Sequence, residues 1–117
     1  MIAIPAQAKI FVYTSAADFR CGINGLGRLC REQLHTDPMN GALFVFRNRK
    51  KTSLKILFYD GGAFWLMTRR LSSGKINWWP TSERSSSSIG AKELQTLIMN
   101  GNPEGAEFGK DWKKVLR

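Results

Sequence analysis

The stretch LFVFRNRKKTSLKILFYDGGAFWLMTRRL, Leu43 to Leu71, decides how this chain is read. It holds three runs rich in β-branched and aromatic residues, Leu43–Arg47, Ser53–Tyr59 and Ala63–Leu71, each of strand length. Between the first two lies the polar, cationic connection Asn48–Thr52. Between the second and third lies Asp60-Gly61, residue types that accept positive φ at little cost and suit a hairpin turn. Ser72-Ser73-Gly74-Lys75 reads as another turn, and Ile76–Trp79 as a fourth short strand stopped by Pro80. The pattern predicts an antiparallel meander. Its strands are apolar on both faces, with Leu54, Ile56 and Phe58 on one and Leu57 and Tyr59 on the other. A sheet open to water on one side alternates more cleanly, so helices or a partner are expected over much of the second face.

Upstream, Lys9 to Thr14 reads as a first strand, closed by a polar break from Ser15 to Asp18. A helical pattern follows over Ile23–Leu34, with Ile23, Leu26, Leu29, Cys30 and Leu34 on one face. Gly25 and Gly27 weaken that helix by about 1 kcal/mol each relative to alanine, which predicts either close packing against the sheet or a helix that starts later than Ile23. Asp37-Pro38-Met39-Asn40-Gly41 ends the segment as a turn. Downstream, the serine-rich residues 81–90 read as a link between a core domain of residues 1–80 and a C-terminal part of residues 91–117. That part begins with a helix over Ala91–Met99, carrying Leu94, Leu97 and Ile98, capped at Asn100-Gly101. The expected class is α+β: a meander of about four strands plus an N-terminal strand, with two helices packed on the sheet. The place of the first strand within the sheet is not readable.

The chain has 117 residues, 43% apolar, enough for one folded core and too few for a multidomain enzyme. No apolar run approaches the ~18–20 residues of a membrane span. The start lacks the pattern of a secretory signal. Cys21 and Cys30 make no disulfide framework, and with His35 the single histidine they make no zinc set. Reduced cysteines and a cytoplasmic location follow.

The net charge of +9 is focused. Arg47, Arg49, Lys50, Lys51, Lys55, Arg69, Arg70 and Lys75 face one acid, Asp60, within residues 47–75, whereas the other 88 residues hold ten basic and eight acidic groups. In a meander the 48–52 connection and Arg69–Leu71 arrive at the same end of the sheet. The two basic groups then form one patch within about a Debye length, ~8 Å, as phosphate binding requires. Arginines there also allow bidentate contacts to phosphate or guanine. A focused excess of this kind points to a polyanion, nucleic acid first. The aromatics Phe44, Phe46, Phe58, Tyr59, Phe64, Trp65, Trp78 and Trp79 read chiefly as core, with Trp78-Trp79-Pro80 the best placed to be partly exposed. A nuclease site would need two or three carboxylates around magnesium. Asp18, Asp37 and Asp60 each suit a cap or a turn instead. With no P-loop or GxGxxG in the sequence, no catalytic, metal or cofactor site is expected.

The blocks Asp18-Phe-Arg20-x-Gly22-Ile-x-Gly25-Leu26, Asp37-Pro38-x-x-Gly41-Ala-Leu-Phe-Val-Phe-Arg-Asn-Arg49, Leu54-Lys-Ile-Leu-Phe-Tyr-Asp60-Gly61, Arg70-Leu71 and Gly74-Lys-Ile-x-Trp78 carry a resemblance. Over about residues 10–80 the chain resembles the TnpB-type accessory proteins of the insertion-sequence-66 family, which are unrelated to the RNA-guided nuclease of the same name. The resemblance implies a bacterial mobile-element protein that supports transposition beside a separate DDE-type transposase, without catalysis of its own. It draws attention to Asp18, Arg20, Gly22, Asn48 and Asp60 beside Arg47, Arg49, Lys55 and Arg70. It departs from the family pattern at Cys21, where a basic or polar residue is usual. The expected function is DNA binding through the basic hairpin, on transposon ends or on duplex without preference. The alternative is an adaptor that docks on the transposase. A homodimer through the meander's exposed edge is compatible with either, and no membrane partner is expected.

Overall fold

The computed structural model describes residues 9–81 and 86–99. They form an α+β fold, one mixed sheet with two helices. Its elements are β1 (Ile10–Ala17), α1 (Ile23–Glu32), β2 (Leu43–Asn48), β3 (Ser53–Tyr59), β4 (Phe64–Arg70), β5 (Ser86–Ile89) and α2 (Ala91–Ile98). The sheet order is β4-β3-β2-β1-β5. β2, β3 and β4 form the antiparallel meander read from the sequence, with Val45 opposite Ile56 and Ile56 opposite Met67. β1 lies beside β2 and runs parallel to it, so α1 serves as the crossover between two parallel strands.

Alternation along the strands builds two cores. Phe44, Phe46 and Leu57 face α1 and pack with Leu26, Cys30 and Leu34, while Phe11 stacks on Phe44 at 5.7 Å between ring centroids. Ile10, Val12, Val45, Leu54 and Ile56 face the other way, against Leu94 and Leu97 of α2 and against Ile76 and Trp79. Burying each of these large side chains contributes roughly 1.5–3 kcal/mol before entropy is counted. Both faces of the sheet are covered, as the two-sided apolar pattern required.

Four expectations are corrected. The first strand does not stop at Thr14. After a bulge between Val12 and Ala16, pairing resumes with Ala16 opposite Arg47 and Ala17 opposite Asn48, so Ser15 lies in the bulge and the strand ends only before Asp18. Ile76–Trp79 is not a strand. β5 lies beyond β1, so the chain leaving β4 must cross three strands to reach it, and residues 71–81 make that crossing. On the way the Leu71 amide donates to the Thr52 carbonyl and the Ile76 amide to the Lys51 carbonyl, and the Trp79 indole donates to the Tyr13 carbonyl at the bulge. Ser86–Ile89, inside the expected link, is a strand that pairs antiparallel with β1, Ile10 opposite Ile89. The inner strand β1 needs a backbone partner on its open side, and residues 86–89 supply one. The glycines of α1 approach its flanking loops, not the sheet. A Cβ on Gly25 would lie 2.7 Å from Cys21 Cβ, and one on Gly27 would meet Pro38 Cγ at 3.7 Å. The expected helix cap at Asn100-Gly101 falls outside the described residues.

Candidate nucleic-acid interface

Parallel pairing of β1 and β2 has a direct consequence for the site. The C-terminal ends of the two strands lie side by side, so the turn after β1 and the hairpin tip after β2 emerge together. They enclose a shallow cleft of about 540 Å³ between residues 16–20 and residues 48–50. β4 ends at the same place, with Arg70 opposite Ser53. The bond from Ile76 to the Lys51 carbonyl brings neighbouring Lys75 there too.

The tip is rigidly built. Asn48 Oδ1 accepts from the amides of Thr52 and Ser53 at 2.9 and 3.0 Å, and its Nδ2 donates to Thr52 Oγ1 at 3.0 Å. The Lys51 amide donates to the Asn48 carbonyl while Lys51 itself sits at φ 63, an uncommon backbone for a lysine. Arg49, Lys50 and Lys51 project from this turn and are exposed, as are Arg70 and Lys75. None of the five side chains forms a hydrogen bond or ion pair among the described residues, where Asp18–Arg20 is the one salt bridge.

The remaining predicted cations have other duties. Arg47 lies over the Trp79 ring at 4.8 Å and donates to the Ile76 carbonyl at 3.0 Å, and burial lowers its pKa. Lys55 Nζ donates to the Phe19 carbonyl at 3.0 Å and sits 4.9 Å from the centre of that ring, which pins the turn after β1. Arg69 pairs opposite Leu54 on the α2 face and is half-buried. The structure therefore brings five of the eight cations together in the open, and uses Arg47 and Lys55 as fastenings beneath them. Phase gave a signal for both. Residues 43, 45 and 47 share a face, as do 55, 57 and 59, so each cation continues an inward-facing row.

On the other wall of the cleft, the Asp18 carboxylate accepts from Arg20 Nε at 3.0 Å, from its Nη2 at 2.8 Å and from its backbone amide at 3.0 Å. These bonds, with the positive charges of Arg20 and Arg49 nearby, hold the carboxyl down at a pKa of about 2. Gly22 is the N-cap of α1 at φ −84, with open space where a Cβ would stand, so neither its backbone nor its surroundings demand glycine. Asp60 is at the opposite end of β3, about 20 Å away at ~3.3 Å per residue. There its Oδ1 accepts from the amides of Gly62 and Ala63 at 2.8 Å and its Oδ2 from the Trp65 indole at 2.8 Å, so its role is in the β3–β4 turn. The amide bonds and the indole bond lower its pKa. Cys30 is buried, which pushes its thiol up to about 12. No three His, Cys, Asp or Glu side chains among the described residues come close enough to share a metal ion. Nor is any described helix long and apolar enough to cross a membrane.

The model of the IS66 Orf2-like proteins matches residues 8–106. This chain belongs to that family. Two relatives from Sinorhizobium fredii strain NGR234 are similar to it. Uncharacterized protein y4hO is 32% identical over 107 residues, covering 92% of this chain and 84% of its own length. Uncharacterized protein y4jC is 32% identical over 117 residues, covering 100% of this chain and 92% of its own. No solved structure matches the chain. Membership in the IS66 Orf2-like family associates the chain with an insertion sequence, and the matched region spans both walls of the cleft.

Proposed function

We propose that this IS66 Orf2-like chain supports transposition by binding DNA through the basic end of its sheet. The observation that carries the reading is the convergence of Arg49, Lys50, Lys51, Arg70 and Lys75, exposed and without an ion-pair partner among the described residues, around a locked hairpin tip. A rigid tip presents its charges to phosphates at low entropic cost, and each phosphate neutralised releases a counterion. If all five engage, log K falls against log salt with a slope of about −4 to −5. The test is a titration of the chain against a duplex carrying a transposon end and a scrambled duplex, at two salt concentrations. The triple variant Arg49→Glu, Lys50→Glu, Lys51→Glu is expected to fold and to lose binding. Undiminished affinity in that variant would remove the patch from consideration.

One observation favours a protein contact at the other end of the sheet. Trp65 is 54% exposed, with its indole N–H held by Asp60, so it offers a fixed apolar surface of the sort found at interface centres. An adaptor that docks on the element's transposase would use it. Co-purification of the two proteins after nuclease treatment, abolished by Trp65→Ser, is the expected result under that reading.

A further inference from the structure

We infer that Arg20 reads a guanine base, its guanidinium held edge-on by Asp18 beside the phosphate-binding hairpin tip. The inference rests on the DNA-binding reading above and deepens it. A guanidinium has five N–H donors in a planar fork. Asp18 takes Nε–H and one hydrogen of Nη2, with oxygens at 3.0 and 2.8 Å. The edge formed by Nη1 and the second hydrogen of Nη2 remains, and the Arg20 side chain is 92% exposed. Two parallel donors on one exposed edge match O6 and N7 of guanine, the commonest specific contact in the major groove.

Charge decides between a base and a phosphate as the acceptor. The Asp18 carboxylate cancels most of the positive field of Arg20, and Asp18 stays ionised throughout the neutral range. A phosphate brought to Arg20 would lie close to that carboxylate and be repelled by it. A neutral base edge meets no such penalty. The unpaired cations are next door, with Arg49 and Lys50 lining the same cleft as Arg20, so phosphates have better partners within reach. The pair is also preorganised. Asp18 accepts from the Arg20 amide as well as its side chain, the Cys21 amide closes the turn on the Asp18 carbonyl, and Lys55 pins Phe19 between them. An arginine held along one edge by a carboxylate from its own turn loses less freedom on binding than a free one.

The test is selection from a randomised duplex library, followed by titration of the selected duplex and of the same duplex with 7-deazaguanine at the fixed G, which lacks the N7 acceptor. The wild-type chain is expected to select a G·C pair at a fixed position and to lose about tenfold in affinity on 7-deaza substitution. Arg20→Ala is expected to keep the salt slope and the fold while binding both duplexes equally. Arg20→Lys, which keeps the charge without the fork, should discriminate far less than wild type, and Asp18→Asn should blunt discrimination with little loss of affinity. Three results overturn the inference while leaving DNA binding intact: no selected G, the same selectivity in Arg20→Ala, or a uniform loss in Arg20→Ala with a shallower salt slope, the mark of a phosphate contact. Failure of the wild-type chain to bind any duplex at low salt would overturn the DNA-binding reading and this one with it.

Discussion

Arg47 and Lys50 are three positions apart in a cationic run and do opposite work. Arg47 stacks on Trp79 and caps the Ile76 carbonyl under the sheet, whereas Lys50 stands free at the tip. Removing Arg47 leaves a buried carbonyl short of its donor and uncovers an indole. Arg47→Ala is therefore expected to lower stability by about 2 kcal/mol, while Lys50→Ala stays within about 0.5 kcal/mol of wild type. Denaturant unfolding of the two variants checks this. Asp18 gives a pH signature at the same scale. Its carboxyl titrates at about 2 in the folded chain against an ordinary 3.8. A depressed carboxylate adds stability above its unfolded pKa and loses it as pH falls through the folded one. The Asp18–Arg20 contribution is thus complete at neutral pH and disappears between about pH 4 and pH 2. Carboxyl NMR should place the Asp18 midpoint near 2, rising toward the ordinary value in Arg20→Ala.

At the scale of elements, the meander was legible because Leu43–Leu71 contains its own turns, and each strand finds its neighbour within a few residues. Local pattern could not place β1, whose partners are Leu43–Asn48 and Ser86–Ile89, both distant in the chain. Ser86–Ile89 has little strand character in its side chains, and only the open edge of β1 makes it a strand. Ile76–Trp79 has the composition of a strand but spends its apolar side chains on the core and its backbone on the crossing. The cation cluster at one sheet end followed from the meander. The second wall of the cleft did not, because it depends on the parallel pairing of β1 with β2. Gly25 shows how local rules yield to packing. Alanine favours a helix by about 1 kcal/mol over glycine, yet a Cβ there lies 2.7 Å from Cys21 Cβ. Gly25→Ala is expected to lower the melting temperature despite its better propensity, and Gly25→Ala combined with Cys21→Gly should recover most of the loss.

Taken whole, the molecule is polar along its strands. The basic tip, the Asp18–Arg20 pair and Lys75 occupy one end of the sheet, and Asp60 with exposed Trp65 occupies the other. Strand sharing couples these ends, because β3 starts beside Arg70 and finishes at the Asp60 turn. Under the proposed function, DNA at the basic end and a protein at the Trp65 end do not compete for surface.

The place of β1 also sets the order in which the sheet can close during synthesis. Its first partner, β2, is made by residue 48, but its second, β5, is complete only at residue 89. At ~5–20 residues per second, the inner strand waits on the order of a few seconds with one backbone edge open. An open edge of that kind pairs readily with another chain. The inner edge of β1 is thus closed last, by a four-residue strand, and the sheet's final edge passes from β1 to β5.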